Sequence, residues 1–323
     1  MSCRVVIPAR LESSRLPGKV LADLDGRPVL AHVVAAAQAS GLGEVWVASD
    51  APQVLDVARA AGAQAALTRA DHPSGSDRIH ELTQAQGWAA GDIVVNLQGD
   101  EPFMAPALLS AVAELLRGDA TADWATVACP IHNAEDWLSP ACVKVVCDQQ
   151  GRALYFSRSG IPHLRGGAAE QPPPGALRHI GLYAYRVGAL ARYCQHAPSP
   201  LEELEKLEQL RALEHGLRIA VHVAQTPPPA GIDTPADLER ARARCAASCL
   251  PSSRSGRDAR RRAKMVQSRR GRPSPQPSPG RSARVTLPVS RRRSPLAGRV
   301  PSSGCGLSPF SAWRSPSRKA RWP

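Results

Sequence analysis

Long apolar runs are absent from this chain. No stretch reaches the roughly eighteen consecutive apolar residues that a membrane-spanning helix needs, so a membrane protein is not expected. The first apolar run, Arg4 to Pro8, is too short for the hydrophobic region of a signal peptide and is typical of a strand. We therefore expect a cytoplasmic protein without a membrane attachment.

Cysteine pairs and two nucleotide-binding signatures are also missing. The eight cysteines include no C-x-x-C pair, which disfavours a zinc site and makes buried free thiols the expectation. Neither G-x-x-x-x-G-K-[ST] nor G-x-G-x-x-G occurs, so the chain lacks both the P-loop and the dinucleotide-binding fingerprint.

Positive charge is concentrated at one end of the chain. Residues 245–323 hold 19 of the 41 Lys and Arg but one of the 28 acidic residues, which leaves a net charge of −5 on residues 1–244. The overall charge of +13 therefore says nothing about what residues 1–244 bind. The composition predicts a domain at 1–245 and a disordered Arg/Pro/Ser-rich tail at 246–323. Nucleic-acid binding by this tail is an alternative from a different functional class, disfavoured because few aromatic residues accompany its arginines.

Hydrophobic periodicity predicts alternating strands and helices in the first half. The predicted strands are 5–9, 44–48, 64–67 and 93–97, and the predicted helices are 28–40, 52–61, 74–86 and 106–117. This alternation predicts an α/β fold with a doubly wound, mixed but mostly parallel sheet. In the second half we predict strands at 124–129, 143–147, 153–156, 179–185 and 219–223, helices at 199–215 and 236–244, and a mobile loop at 163–177.

Three cations follow the first predicted strand, in PARLESSRLPGK. Arg10, Arg15 and Lys19 lie between a strand and a helix, at the edge of the sheet where ligands bind in α/β proteins. Backbone N–H groups at such an edge already favour anions. We interpret this loop as a phosphate-binding segment, with three solvated surface cations as the alternative.

Two acidic motifs complement that loop. Asp100 follows a buried strand in NLQGDEP, and Asp233 precedes the last helix in GIDTP. Hard carboxylate oxygens suit Mg²⁺, so we predict that Asp100 and Asp233 hold this ion beside a triphosphate. The alternatives are a turn at Gly99-Asp100 and a helix cap at Asp233 or Thr234.

The motif TRADHPSGSDR can be interpreted as a base-binding segment or as the start of a helix. Ser74 offers a hydroxyl and Arg78 a planar fork that would suit the edge of a base. A helix N-cap at Ser74, with Asp77 at the third position, explains the motif equally well. The residues alone thus predict an Mg²⁺-dependent, nucleotide-handling α/β enzyme without naming its reaction.

Several motifs between residue 1 and about 244 resemble the 3-deoxy-manno-octulosonate (Kdo) cytidylyltransferases, also called CMP-Kdo synthetases. They include VVIPARLESSRLPGK, TRADHPSGSDR, VNLQGDEP, ALYFSRSGIP, RHIGLYAYR, LEQLR and GIDTPADLERAR. The resemblance implies a nucleotide-diphospho-sugar transferase-like fold with a small inserted dimerisation subdomain, and a cytoplasmic homodimer. It also implies transfer of CMP from CTP to Kdo, with release of pyrophosphate, for lipopolysaccharide biosynthesis.

The resemblance implies roles for individual residues. Arg10, Arg15 and Lys19 would grip the triphosphate, and Arg10 and Lys19 would act with Asp100 in catalysis. Ser74 and Arg78 would read cytosine, while Asp100 and Asp233 would hold Mg²⁺. The sugar-acid pocket would be formed by Gln98, Arg158, His179, Tyr183, Glu208 and Gln209.

Two of the pocket assignments carry a chemical reason. The planar guanidinium of Arg158 suits the carboxylate of a sugar acid. His179 would donate to a sugar oxygen, although a purely structural histidine is an equally good interpretation. The closest alternative is a cytidylyltransferase for another sugar acid, sialic acid above all; RHIGLYAYR and LEQLR favour Kdo.

Overall fold

A nine-stranded sheet dominates the part of the chain that the computed structural model describes, residues 1–13, 15–168 and 170–249. The strands are β1 (Cys3–Pro8), β2 (Asp23–Leu24), β3 (Arg27–Pro28), β4 (Val45–Ser49), β5 (Gln64–Leu67), β6 (Ile93–Asn96), β7 (Trp124–Pro130), β8 (Lys144–Cys147), β9 (Ala153–Ser157), β10 (Leu177–Arg186) and β11 (Ile219–Val223). Strands β2 and β3 form a separate two-stranded sheet. The helices are α1 (Val29–Ala39), α2 (Pro52–Ala60), α3 (Gly75–Ala85), α4 (Pro106–Gly118), α5 (Ala134–Leu138), α6 (Val187–Cys194), α7 (Pro200–Glu205), α8 (Glu208–Glu214) and α9 (Pro235–Cys249), with a 3-10 helix at Lys19–Leu21.

The strand order confirms the predicted mixed, mostly parallel sheet. The main path runs β11-β7-β10-β6-β1-β4-β5, and β10 pairs antiparallel with both β6 and β7. The pairs β1–β4, β1–β6, β4–β5 and β7–β11 are parallel. Strands β8 and β9 form an antiparallel hairpin that branches from β10. The hairpin fits the expected small insertion, whose part in dimerisation stays a prediction.

Alternating side chains of β1 explain why helices cover both faces of the sheet. Val5 and Ile7 join one buried cluster, which includes residues of α1, α2 and α4. Val6 points the other way and joins a second cluster with residues of α3, α6 and α8. Because successive strand residues face opposite sides, a continuous apolar run such as this one produces a sheet buried on both faces.

The structure differs from the sequence predictions in the second half. The helix predicted at 199–215 is broken, because Lys206 adopts a left-handed conformation with φ 53° between α7 and α8. Leu204, which precedes the break in α7, is 80% exposed. Helices α5 and α6 and the β2–β3 pair were not predicted. The last helix extends to Cys249, so 246–249 are helical; the remainder of the predicted disordered tail lies outside the described residues.

The predictions about membrane spans and free thiols can be compared with the structure for the described residues. None of their helices combines the length and apolar character that crossing a bilayer requires. Cys3, Cys129 and Cys142 are buried free thiols, as expected, whereas Cys147, Cys194 and Cys245 are partly exposed. Burial raises the pKa of the Cys129 and Cys142 thiols.

Candidate functional site

A cleft of about 500 Å³ opens where the parallel strands end. Loops following β1, β5 and β6 meet there, together with residues of β10 and the segment that joins α7 to α8. The predicted site residues that line this main cleft are Arg10, Arg15, Lys19, Ser74, Arg78, Gln98, Asp100, His179, Tyr183, Glu208 and Gln209. The topology therefore collects residues from distant parts of the sequence at one edge of the sheet.

Two glycines allow the loops after β1 and β6 to approach each other. Gly18 has φ 68°, a left-handed conformation that starts the 3-10 helix and directs Lys19 into the cleft. A Cβ at Gly99 would lie 3.3 Å from the Cβ of Ala9 and from the carbonyl oxygen of Pro8. A larger residue at Gly99 would therefore push Asp100 away from the cationic loop.

Lys19 connects the cationic loop to both acidic motifs. Its ammonium contacts the carboxylate of Asp100 and lies 3.0 Å from Oδ1 of Asp233. Arg15 also lies 3.0 Å from Oδ1 of Asp233, although the Arg15 side chain is largely exposed and that of Asp233 is about half exposed. Burial lowers the pKa of Lys19, but the two carboxylates outweigh burial and raise it, so the ammonium stays charged.

The backbone around Asp233 places its carboxylate beside Asp100. The N–H of Ile232 donates to the carbonyl of Asp100 at 2.8 Å, which fixes the GIDTP segment against the loop after β6. Thr234 Oγ1 accepts from the N–H of Asp237 at 3.2 Å and caps the start of α9. Thr234, and not Asp233, therefore fills the capping role, which leaves the Asp233 carboxylate for Lys19 and Arg15.

The donor set at this point suits a divalent cation. Asp100 and Asp233 supply hard oxygens, and both already hold a cationic group in the form of Lys19. Oε2 of Glu101 is buried without a hydrogen-bond partner among the described residues. Burial raises the pKa of Glu101 to about 7, and the neighbouring Asp100 and Asp233 add to the increase. No group of three or more His, Cys, Asp or Glu side chains in the described ranges is arranged to hold a metal. Further ligands would have to come from substrate and water.

The motif around Ser74 forms the predicted helix N-cap, with Asp77 at the third position of the helix. Ser74 caps α3, accepting from the N–H of Asp77 at 3.3 Å and donating to its carboxylate at 2.7 Å. Arg78 is 4% exposed, donates to Thr68 Oγ1 at 2.6 Å and lies 3.7 Å from Asp50. The capping interpretation is confirmed, while base recognition by Ser74 and Arg78 stays a prediction.

An irregularity in β10 directs two predicted pocket residues into the cleft. Between Ile180 and Tyr183, β10 advances three residues while its partner β7 advances one. His179 Nε2 lies 3.0 Å from Thr126 Oγ1, which itself donates to the carbonyl of Leu182 at 2.8 Å. The hydroxyl therefore accepts from an Nε2–H tautomer. Burial lowers the pKa of His179 to about 3, so the imidazole is neutral at physiological pH.

A buried ion pair holds the segment that carries Glu208 and Gln209. Arg211 donates to both carboxylate oxygens of Glu202, at 2.6 and 2.5 Å, and both side chains are buried. The Arg211 guanidinium also stacks on Tyr193 at 4.4 Å. Since Glu202 lies in α7 and Arg211 in α8, the pair fixes the sharp turn between them.

Arg158 is the predicted pocket residue that the structure does not bring to the main cleft. Its guanidinium donates to the carbonyl oxygens of Glu205 at 2.7 Å and Pro140 at 2.9 Å, and to that of Lys206 at 3.3 Å. It lines a separate hollow of about 200 Å³ instead. Arg158 thus ties β9 to the α7–α8 turn, and its proposed contact with a sugar carboxylate has no geometric support here.

The cleft also contains residues that sequence reasoning did not select. They include Asn96, Tyr185, His72 and Lys206. Asn96 offered a signal, because it is a polar residue inside the apolar run IVVNL. Lys206 offered none, since it reaches the cleft through the left-handed kink at a position where the pattern predicted a continuous helix.

The fold and the cleft together define a nucleotidyltransferase. A mostly parallel sheet presents cations from one loop and paired carboxylates from two others at its carboxyl edge. Such an arrangement can bind a triphosphate and neutralise charge that develops on a leaving phosphate group.

Comparisons with known proteins agree with this class. Residues 4–219 match the family model described as cytidylyltransferase. The chain is 53% identical, over 249 residues, to a 3-deoxy-manno-octulosonate cytidylyltransferase of Acidovorax sp. (strain JS42), covering 74% of this chain and 95% of the relative. A solved CMP:2-keto-3-deoxy-manno-octonic acid synthetase complexed with CTP is 41% identical with a TM-score of 0.70, covering 77% of this chain and 100% of that one.

A more distant neighbour supports the fold alone. A cytidylyltransferase from Leptospira borgpetersenii serovar Hardjo-bovis (strain JB197) is 17% identical with a TM-score of 0.51, covering 83% of this chain and 96% of that one. The family model and the nearer relatives show that the chain belongs to the cytidylyltransferase family, among the 3-deoxy-manno-octulosonate cytidylyltransferases.

Proposed function

We propose that this protein transfers CMP from CTP to Kdo, releases pyrophosphate, and so activates Kdo for lipopolysaccharide biosynthesis. The observation that carries the proposal is that the Lys19 ammonium, which lines the cleft with Asp100, contacts the carboxylates of both Asp100 and Asp233. The relative named for this activity is 53% identical over nearly its whole length, and the solved synthetase was complexed with CTP.

The loop after β1 would bind the triphosphate. Arg10 and Arg15 are exposed at the cleft, so their guanidinium groups are accessible to phosphate oxygens. Lys19 would neutralise charge that builds on the leaving pyrophosphate, together with Arg10. Ser74 and Arg78 lie on the adjoining wall, where they would contact cytosine.

Asp100 and Asp233 would hold Mg²⁺, because their two carboxylates supply hard oxygen ligands and leave coordination positions for phosphate oxygens and water. When bound, the ion would supply Lewis-acid stabilisation of the α-phosphate and lower the pKa of the attacking hydroxyl. Without the ion, the Lys19 ammonium contacts both carboxylates and offsets part of their mutual repulsion.

The sugar acid would occupy the side of the cleft formed by β10 and α8. Gln98, His179, Tyr183, Glu208 and Gln209 line that side and offer neutral and acidic hydrogen-bonding groups to its hydroxyls. The anomeric hydroxyl would attack the α-phosphorus in line, so that one P–O bond forms as the bond to pyrophosphate breaks. No covalent enzyme intermediate is required.

We also propose an oligomeric state and a cellular location for the protein. The resemblance to the family supports a homodimer in the cytoplasm, and light scattering of the purified protein would give its molar mass in solution.

Product analysis tests the function directly. Purified protein with CTP, Mg²⁺ and Kdo should form CMP-Kdo and pyrophosphate in equal amounts, measured by anion-exchange chromatography and a phosphate assay after pyrophosphatase. Parallel reactions with sialic acid test the closest alternative. Turnover of sialic acid without turnover of Kdo would replace the proposed substrate, and no turnover with either would refute the proposed activity.

A further inference from the structure

A line of side-chain hydrogen bonds runs along the wall of the main cleft. Gln98 Nε2 donates to Asn96 Oδ1 at 3.4 Å, and Asn96 Nδ2 donates to the hydroxyl of Tyr185 at 3.1 Å. That hydroxyl lies 3.4 Å from Ser76 Oγ, which donates to Glu208 Oε2 at 3.1 Å. We call these five residues the polar chain. All five line the main cleft, and the two at its ends, Gln98 and Glu208, are assigned above to sugar-acid binding.

The bonds of the polar chain all point the same way. Asn96 uses an N–H of its amide toward Tyr185, so the phenol oxygen accepts there and its own proton is available for Ser76. Ser76 Oγ then accepts a hydrogen bond from Tyr185 and donates one to the Glu208 carboxylate, which as an ion can only accept. A consistent direction from amide to carboxylate satisfies every central member once as donor and once as acceptor.

The three central members of the polar chain are buried, so water does not take over their hydrogen bonds. Asn96 and Tyr185 are each 1% exposed and Ser76 is 4% exposed. The Tyr185 ring is held by an edge contact with Trp124 at 4.7 Å and by stacking on Tyr183 at 5.8 Å. Because the ring is held on both sides, loss of the Tyr185 hydroxyl removes the acceptor for Asn96 Nδ2 and the donor to Ser76 Oγ, in a place where solvent does not replace them.

We propose that Tyr185 is a positioning residue for the sugar-acid pocket, fixing Gln98 and Glu208 together through Asn96 and Ser76. This inference rests on the proposed function, because it takes the sugar acid as the ligand of those two side chains. The bond from Gln98 Nε2 determines which end of its amide is the acceptor, and the bond from Ser76 fixes one oxygen of Glu208. The pocket therefore presents a preset pattern of acceptors to the hydroxyls of a sugar, at no ordering cost when the sugar binds.

The test compares three conservative variants. Tyr185→Phe and Ser76→Ala each remove one hydroxyl from the polar chain. Tyr193→Phe removes the same atom from a fully buried tyrosine whose hydroxyl has no hydrogen-bond partner among the described residues, so it is the matched control. KM and kcat for CTP and for Kdo, and melting temperatures, are measured for each.

Tyr185→Phe should raise KM for Kdo about tenfold, the loss expected for one hydrogen bond in a network that ends on a charge. KM for CTP and kcat should stay within about threefold of the wild-type values. The double variant Tyr185→Phe/Ser76→Ala should resemble either single variant, because each substitution interrupts the same polar chain. Tyr193→Phe should leave both KM values unchanged. A purely structural role would instead lower the melting temperature without separating the two KM values.

Other outcomes discriminate the inference from the proposed function. If the wild type makes CMP-Kdo but Tyr185→Phe leaves KM for Kdo unchanged, or if effects of the two chain variants simply add, the positioning role is wrong. If Tyr185→Phe does not fold, Ser76→Ala alone must show the selective rise in KM for Kdo, and its absence overturns the inference. Absence of turnover in the folded wild type refutes the proposed function itself.

Discussion

The ammonium of Lys19 lies 3.0 Å from the carboxylate of Asp233, although 214 positions separate the two residues. The same ammonium contacts Asp100, so three segments of the chain meet at one nitrogen atom. Lys19 is half-buried between the two carboxylates, where the surroundings are less polar than water. The ammonium and the carboxylates therefore stabilise one another more strongly than they would in solvent. The arrangement explains why the cationic loop and the acidic motifs act as one site.

Replacing Asp100 by Asn should lower kcat by roughly a hundredfold or more while the fold persists, because a charged oxygen ligand becomes a neutral amide of the same size. Turnover of CTP and Kdo at saturating Mg²⁺ measures this effect. Asp56→Asn, at an exposed carboxylate on α2, is the control and should leave kcat unchanged. Near-normal turnover of the Asp100 variant would exclude it as a metal ligand.

Replacing Lys19 by Met should make the melting temperature more sensitive to Mg²⁺. Without the ammonium, Asp100 and Asp233 repel each other in the metal-free protein, and a bound cation then restores compensation. Differential scanning fluorimetry with and without Mg²⁺ should show a larger increase in the variant than in the wild type. An equal increase in both proteins would argue that the two carboxylates do not share a cation.

Replacing Arg211 by Met should reduce the free energy of unfolding by about 3–5 kcal/mol, because the buried carboxylate of Glu202 loses its partner. Arg59→Met at an exposed pair should cost no more than about 0.5 kcal/mol. Urea denaturation gives both values. The joint replacement Glu202→Leu/Arg211→Met should cost less than Arg211→Met alone, and a larger cost would contradict the charge explanation.

Stability should fall in acid partly because of His179. Its pKa in the folded protein is lowered to about 3, whereas an unfolded histidine titrates near 6.5. Between these values the unfolded state binds a proton that the folded state does not, so the free energy of unfolding decreases as pH falls from about 6.5 toward 3. Above pH 6.5 the contribution is constant. Urea titrations at several pH values should show a weaker slope in His179→Gln than in the wild type, and an identical slope would refute this assignment.

Removing residues 251–323 should leave turnover and melting temperature nearly unchanged. Their composition has no apolar face that could dock on the domain, and α9 ends before the cut. The tail's arginines predict instead that any weak, salt-dependent binding to DNA is lost with it, which gel shifts at graded salt would show. A large drop in melting temperature after truncation would demonstrate a structural role for the tail.

The first half of the fold was predictable because its signals are local. Strand β5 coincides with the predicted range 64–67, and the first four helices fall within a residue or so of theirs, since proline, glycine and apolar periodicity mark their ends. The α7–α8 region was not predictable in this way. Its helical pattern continues across Lys206, and the kink there is fixed by long-range bonds, including one from Arg158 to the Lys206 carbonyl.

The amino-acid sequence alone determined which chemistry is available: a cationic loop after a strand, carboxylates in two motifs, and polar residues along β10 and α8. Local hydrogen bonding and periodicity suffice to place these on loops, strands and helices. Only the tertiary structure decided which of them meet. It brought Asp233 to Lys19, turned the guanidinium of Arg158 toward three carbonyls, and joined Gln98 to Glu208 through the hidden hydroxyl of Tyr185. Such partnerships depend on packing between segments far apart in the chain, which no single stretch of sequence encodes.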